Sequence, residues 1–168
     1  YDFFAGLVTE MKGSTIPMAP DFLNYTLREP RGVVARIVAF NHPFMLCAGK
    51  LAAPLAAGNS VIIKPPEQAP LSGLRVAELI GPLFPAGVIS ILTGGREIGT
   101  ALSSHRDIAM VTLVGSVPTG RAVMRSASET LKQVLLELGG KNALIAYPDA
   151  DPDKVAAAAV AGMNYAWC

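Results

Sequence analysis

Short runs of apolar, largely β-branched residues alternate with helical segments along most of the chain, and this alternation restricts the possible folds more than any other feature. Strand patterns occupy residues 32–40, 60–64, 88–92, 110–114 and 133–138. Helical patterns lie between them, at residues 43–57, 71–79, 97–103 and 119–128. Repeated βαβ units with short glycine-containing connections predict a doubly wound α/β fold whose sheet is mostly parallel. The carboxyl edge of such a sheet is its binding edge.

Three further segments flank this alternating region. Apolar residues between Phe3 and Met11 have helical spacing and predict an amphipathic helix that ends at Gly13 and covers the sheet. Residues 143–147 are strand-like, and an Ala-rich helix is predicted from Pro152 toward Asn164.

The composition excludes several functional classes. The net charge is +1 and the 14 Lys and Arg residues are scattered, so no basic patch is available for nucleic acid. No apolar run reaches membrane-spanning length, because Lys50 interrupts the longest helical stretch. Two cysteines and two histidines without ligand spacing predict neither a disulfide framework nor a metal site. We therefore expect a soluble, cytoplasmic protein.

Polar residues follow the first two strand patterns at the predicted binding edge. Asn41 comes directly after the first strand and can donate to a ligand oxygen, although an amide there also suits a helix cap. Lys64 and Glu67 enclose two prolines that end the second strand. An acidic residue at this place binds ribose hydroxyls in dinucleotide-binding sheets. The alternative is a solvated surface pair.

Two glycine-bearing turns follow later strands. One contains Gly94, Gly95 and Gly99, and the other contains Gly115, Ser116 and Gly120. Backbone N–H groups at a helix start after such a turn can bind pyrophosphate. Neither turn has the glycine spacing of an ordinary Rossmann fingerprint, so a plain turn is the alternative for both.

Glu137 is the candidate for proton transfer, because it is a carboxylate among apolar neighbours followed by Gly139 and Gly140. Burial in such surroundings would raise its proton affinity. The alternative is a carboxylate paired with Lys132 or Lys141. Cys47 is expected to be a buried structural thiol. His42 and His105 are expected to be structural or surface residues, because neither has an evident catalytic partner.

Together, six segments in this order resemble the aldehyde dehydrogenase superfamily, and the match extends over essentially the whole chain. The last of them, which contains Glu137, is the most specific. The segments are residues 29–34 (EPRGVV), 40–44 (FNHPF), 52–59 (AAPLAAGN), 64–67 (KPPE), Gly115-Ser116 with Gly120, and 136–141 (LELGGK).

The resemblance implies an enzyme that oxidises an aldehyde to a carboxylic acid through a cysteine thioester, with NAD as the cofactor and NADP as the alternative. It implies that Asn41 stabilises the oxyanion and that Glu137 is the general base. Lys64 and Glu67 would hold the adenosine ribose and Ser116 the pyrophosphate. The remaining cofactor-site residues implied by the resemblance are Ala39, Phe40, Gly95, Gly99, Gly115, Leu138 and Gly139.

The chain departs from the family pattern at Cys168, which lies closer to Glu137 than the family's nucleophile does and lacks the preceding Gly-Gln motif. We therefore expect the nucleophilic cysteine to lie beyond Cys168. Residues 1–168 are expected to be a truncated nucleotide-binding region that ends just before the catalytic domain. The full-length protein is expected to be a homo-oligomer that acts on a small-molecule aldehyde.

Two alternatives remain open for the function. The chain could act only as a nucleotide-binding module without activity, which we expect for the isolated segment. It could also come from a non-enzymatic structural member of the family. The charge of Glu67 predicts NAD rather than NADP, since a carboxylate repels a ribose phosphate.

Overall fold

A computed structural model of the chain describes residues 1–141 and 143–164. Its elements in chain order are α1 (Asp2–Gly6), a 3₁₀ turn (Val8–Glu10), β1 (Thr15–Ile16), β2 (Asn24–Tyr25), β3 (Val33–Ile37), α2 (Pro43–Ala48), α3 (Ala52–Ala56), β4 (Ser60–Lys64), α4 (Leu71–Ile80), a 3₁₀ turn (Gly81–Leu83), β5 (Ile89–Ile91), α5 (Arg96–Ser104), β6 (Ile108–Gly115), α6 (Val117–Ser128), β7 (Gln133–Leu138) and α7 (Pro152–Asn164).

The five longer strands form one parallel sheet in the spatial order β5-β4-β3-β6-β7. The first of them in the chain, β3, therefore lies in the middle. The chain adds β4 and β5 on one side of β3 and then returns to add β6 and β7 on the other side. This reversal makes the sheet doubly wound, which confirms the predicted fold class.

Helices cover both faces of the sheet. Successive strand residues point to opposite faces, so the apolar strands present side chains to a core on each side. On one face, Val61 and Ile63 of β4 pack with Leu46, Cys47 and other residues of α2 to α4. On the opposite face, Val111 and Leu113 of β6 pack with Leu102 of α5 and Val123 of α6. The two cores explain why the strand sequences are apolar at nearly every position.

Two predicted helices differ from the observed ones. The N-terminal helix α1 ends at Gly6, where glycine lowers helix stability, and only a 3₁₀ turn follows it. It packs mainly against α3 and has no buried residue, so the prediction that it covers the sheet was wrong. The predicted helix over residues 43–57 is divided into α2 and α3 by a turn at residues 49–51.

The strand predicted at residues 143–147 is also wrong, since these residues form no regular element and are exposed. A strand requires backbone hydrogen bonds to a neighbouring strand, and none of the described strands pairs with them. By contrast, the antiparallel ribbon of β1 and β2 was missed because its strands are only two residues long. Within the described residues, no helix combines the length and apolar character needed to cross a bilayer.

Asn59 connects the entry of β3 to the end of α3. Its Oδ1 accepts hydrogen bonds from the N–H groups of Arg31 at 2.7 Å and Gly32 at 3.1 Å. Its Nδ2 donates to the carbonyl of Pro54 at 3.0 Å. Since the side chain is almost fully buried, water cannot replace these partners readily.

We predict that Asn59→Ala lowers the free energy of unfolding by about 1–3 kcal/mol, because it removes three part-buried hydrogen bonds that join the entry of β3 to α3. Urea unfolding followed by circular dichroism measures the change. Gln133→Ala, which truncates an exposed polar side chain, is the control and should cost less than about 0.5 kcal/mol. Equal losses of unfolding free energy in the two variants would contradict the stabilising role of the Asn59 hydrogen bonds.

Candidate active site

A cavity of about 840 Å³ opens at the carboxyl edge of the sheet. Its walls are formed by the residues that follow β3, β4 and β6, by the first turns of α5 and α6, and by the end of β7. The chain reversal between β3 and β6 creates this opening, because the connections that leave the two strands run in opposite directions. The volume lies within the range of roughly 300–1,000 Å³ that small-molecule sites occupy.

The cavity brings together all twelve residues that the sequence analysis assigned to the site. They lie far apart in the sequence but converge because parallel strands end at the same edge. They are Ala39, Phe40, Asn41, Lys64, Glu67, Gly95, Gly99, Gly115, Ser116, Glu137, Leu138 and Gly139. Their individual roles stay predictions.

Asn41 lies in the connection from β3 to α2. The N-cap residue of α2 is His42, and no side-chain hydrogen bond caps this helix. The interpretation of Asn41 as a helix cap is therefore wrong, and its amide belongs to the wall of the cavity.

Lys64 and Glu67 have different environments at the end of β4. Lys64 is buried and its Nζ donates to the carbonyl of Pro65 at 3.3 Å, whereas Glu67 is exposed. Among the ion pairs of the described residues, none joins the two. The alternative of a solvated surface pair is thus wrong. An ammonium has three donors, so Lys64 retains capacity for a ligand in the cavity.

The turn before α5 requires glycine but is already capped by a carboxylate. Gly94 has a φ of 148°, and a Cβ there would lie 2.5 Å from Ile98 Cγ1. The next N–H group, that of Gly95, donates to Glu97 Oε1 at 2.8 Å. Hydrogen bonds from the backbone N–H groups of Glu97 itself and of Gly95 lower the pKa of Glu97. This helix start is therefore occupied by a negative charge of its own.

The turn before α6 has no such charge. Ser116 is the N-cap, and its hydroxyl accepts a hydrogen bond from the N–H of Thr119 at 3.4 Å. The hydroxyl groups of Ser116 and Thr119 also lie 2.9 Å apart, and both residues line the cavity. The first turn of this 12-residue helix carries no acidic residue. Of the two predicted anion sites, the start of α6 is thus the one that suits a pyrophosphate.

Glu137 was predicted to be buried, and this was wrong. In the sheet that the described residues form, β7 is an outer strand, and the Glu137 side chain is 50% exposed in this chain. It forms an ion pair with Lys50, which lies in the turn between α2 and α3. The partners expected from the sequence were the nearby Lys132 and Lys141, yet Lys132 donates instead to the carbonyl of His105. Nothing in the local sequence indicates a partner that lies 87 residues away.

A second cavity of about 540 Å³ lies on the sheet face that α3 covers only in part, and Glu137 lines both cavities. Lys50 and Arg36 line the second cavity only. Arg36 is buried, and burial lowers its pKa, although the nearby charge of Glu137 opposes that shift. No hydrogen-bond acceptor among the described residues contacts its Nε. The carboxylate of Glu137 is therefore placed beside two cations that the sequence analysis did not assign to the site.

The remaining candidates lie outside the main cavity. Cys47 is fully buried in the core, as expected, and burial raises the pKa of its thiol. His42 and His105 do not line the main cavity. In the described part of the chain, no cluster of side chains could hold a metal ion. Cys168 lies outside the described residues.

A sequence model of the aldehyde dehydrogenase family matches residues 1–166. Among curated relatives, aldehyde dehydrogenase tropH of Talaromyces stipitatus is 54% identical over 99% of this chain and 33% of its own length. The putative aldehyde dehydrogenase DhaS of Bacillus subtilis is 41% identical over 97% of this chain and 33% of its own length. The chain thus spans about a third of the length of these relatives.

Solved structures give the same result. An aldehyde dehydrogenase from Bacillus cereus, determined as an NAD⁺ complex, matches 97% of this chain and 34% of its own with a TM-score of 0.88 and 41% identity. A putative aldehyde dehydrogenase from Burkholderia cenocepacia matches 96% of this chain and 34% of its own, with a TM-score of 0.88 and 41% identity. The similarity therefore includes both sequence and three-dimensional arrangement.

We predict that Lys50→Gln changes the free energy of unfolding by less than about 1 kcal/mol, because both partners of the Lys50–Glu137 pair are accessible to solvent. Lys12→Gln breaks an exposed pair with Glu10 and is the matched control for urea unfolding. A loss above about 2 kcal/mol in Lys50→Gln alone would indicate a structural anchor rather than a contact that can rearrange.

Proposed function

Because the chain belongs to the aldehyde dehydrogenase family, we propose that the full-length protein oxidises an aldehyde to a carboxylic acid with NAD. Residues 1–168 form its nucleotide-binding region in this proposal. One observation carries it: Asn41, Glu137 and the ten predicted cofactor residues line a single cavity. The NAD⁺ complex of the Bacillus cereus relative supports the choice of cofactor.

The residues around the cavity fit a dinucleotide. In this proposal Lys64 and Glu67 hold the adenosine ribose, and Ser116 with the N–H groups at the start of α6 binds the pyrophosphate. Gly99 lines the cavity without a side chain, so a dinucleotide can approach its backbone closely. A Cβ there would not clash with the protein, since its nearest contacts are at 3.8 Å and 3.9 Å, but it would occupy cavity space. Bound NAD supplies the acceptor for the hydride that leaves the aldehyde carbon.

The chemistry that we propose uses a cysteine thiolate, which attacks the aldehyde carbon and becomes acylated after hydride loss. The side-chain amide of Asn41 donates a hydrogen bond to the oxygen that becomes negative during attack. Water then hydrolyses the thioester, and Glu137 accepts a proton from that water. In the structure Lys50 pairs with the Glu137 carboxylate through a solvent-accessible contact, which can rearrange when the carboxylate accepts the proton. The net reaction converts aldehyde, NAD⁺ and water to carboxylic acid, NADH and a proton.

We predict that Glu137→Gln in the full-length enzyme lowers kcat by about 10²–10⁴, because the amide cannot accept the proton. The KM for NAD should change by less than about threefold, since the amide keeps the shape of the carboxylate. Formation of NADH, followed by its absorbance, measures both constants. Glu129→Gln, at the C-cap of α6 and outside the cavity lining, is the matched control. Retention of more than about a tenth of kcat in Glu137→Gln would contradict the base assignment.

Glu67 supports NAD over NADP as the cofactor. Its carboxylate lines the cavity beside Lys64, where a phosphate on the ribose would meet a like charge. Comparable turnover of the full-length enzyme with both cofactors would contradict this proposal.

For the isolated chain we propose nucleotide binding without turnover. Cys47 is the one cysteine within the described residues, and its buried, protonated thiol lies in the core rather than in the cavity. We predict that the 168-residue chain lacks thiol-dependent esterase activity, measured with an activated ester. Activity that Cys168→Ser abolishes would contradict this prediction and assign Cys168 as the nucleophile.

A further inference from the structure

We propose that Glu97 is a second specificity-determining residue, which disfavours a dinucleotide that carries a phosphate on its adenosine ribose. The inference rests on the proposed function, because it assumes that the ribose lies beside Lys64 and Glu67. It adds a residue that does not line the cavity itself and that the sequence patterns did not indicate.

The position of Glu97 is fixed by the turn before α5. Its Oε1 accepts the hydrogen bond from the N–H of Gly95, which is the N-cap of the helix. A Cβ built on Gly95 would lie 2.9 Å from Glu97 Oε2 and 3.2 Å from Glu67 Oε2. The two carboxylates therefore flank the same glycine, and that glycine lines the cavity.

The charge of Glu97 is also fixed. The hydrogen bonds from the backbone of Glu97 and Gly95 lower the pKa of its carboxyl group, against a smaller opposing effect of desolvation, and the charge of Lys64 makes a minor contribution in the same direction as the hydrogen bonds. The position of Glu97 Oε2 and Glu67 Oε2 on either side of Gly95 places this charge at the same end of the cavity as the proposed ribose site. Glu97 is thus ionised at neutral pH and acts there by charge, without contact with the cavity.

Two cations in the cavity wall give the second carboxylate a role. Lys64 and Arg96 both line the cavity, and an arginine close to the ribose can accommodate a 2′-phosphate. Glu67 repels a ribose phosphate but offsets only one of these two positive charges. With Glu97 the four side chains balance, so a ribose phosphate gains no net attraction.

The effects of Glu67 and Glu97 can be separated experimentally. Glu67 is proposed to contact the ribose hydroxyls, so its replacement should weaken NAD as well as relieve the repulsion of NADP. Glu97 makes no such contact, so its replacement should change NADP binding alone. Glu97→Gln keeps an oxygen that accepts the Gly95 hydrogen bond and removes only the charge, whereas Glu97→Ala removes both.

The experiment is calorimetric titration of the full-length protein with NAD and with NADP. We expect Glu97→Gln to tighten NADP binding by about threefold to tenfold and to leave the Kd of NAD within about twofold. The gain should shrink when salt rises from about 0.05 M to 0.5 M, because it comes from an exposed charge. Glu129→Gln, which removes the same charge at the far end of α6, should change neither affinity.

The outcomes separate the two proposals. If the unmodified protein does not bind NAD, the proposed function fails. If it binds NAD but Glu97→Gln leaves the ratio of the NADP and NAD affinities unchanged, only the role of Glu97 is overturned. A change in Glu97→Ala without one in Glu97→Gln would also overturn it, because the effect would then come from the capping hydrogen bond. Thermal unfolding of each variant verifies that the fold is intact.

Discussion

The site depends on one constraint, which is that parallel strands end at the same edge of their sheet. The chain reverses between β3 and β6, and the connections on the two sides of this point diverge and leave a cavity. Asn41, Lys64, Ser116 and Glu137 each follow or end a different strand, and the parallel register brings them to that cavity. Any change that altered the strand order would separate these side chains, however intact each local motif remained.

The sheet could be predicted from the sequence because its strands are buried on both faces. The apolar runs of β4 and β7 coincide with the observed strands, and the runs of β3, β5 and β6 differ only at their ends. The local sequence pattern gave wrong predictions where the structure of a segment depends on contacts with residues distant in the sequence. Residues 143–147 have the composition of a strand, but no described strand pairs with them. Gly49 is the strongest indication in the sequence that the helix is divided into α2 and α3.

The same distinction explains which parts of the site could be predicted. Residues at the ends of strands were identified because the fold places strand ends together. The partners of those residues were not, since Lys50 reaches Glu137 from 87 positions away and Arg36 lies two strands from it. The expected burial of Glu137 is not observed for a related reason, because the apolar sequence of β7 does not reveal that it is the outer strand of the sheet that the described residues form.

The two glycine turns differ in charge, and this difference predicts the orientation of a dinucleotide in the cavity. The N–H group of Gly95 at the start of α5 is bound by a carboxylate, so this turn repels anions although it has the sequence of an anion site. The start of α6 is capped by the neutral hydroxyl of Ser116 and keeps its attraction for phosphate. A dinucleotide bound as proposed would therefore place its pyrophosphate at α6 and its ribose between Lys64 and Glu67. Its reactive end would then point toward β7 and Glu137, on the other side of the point where the chain reverses.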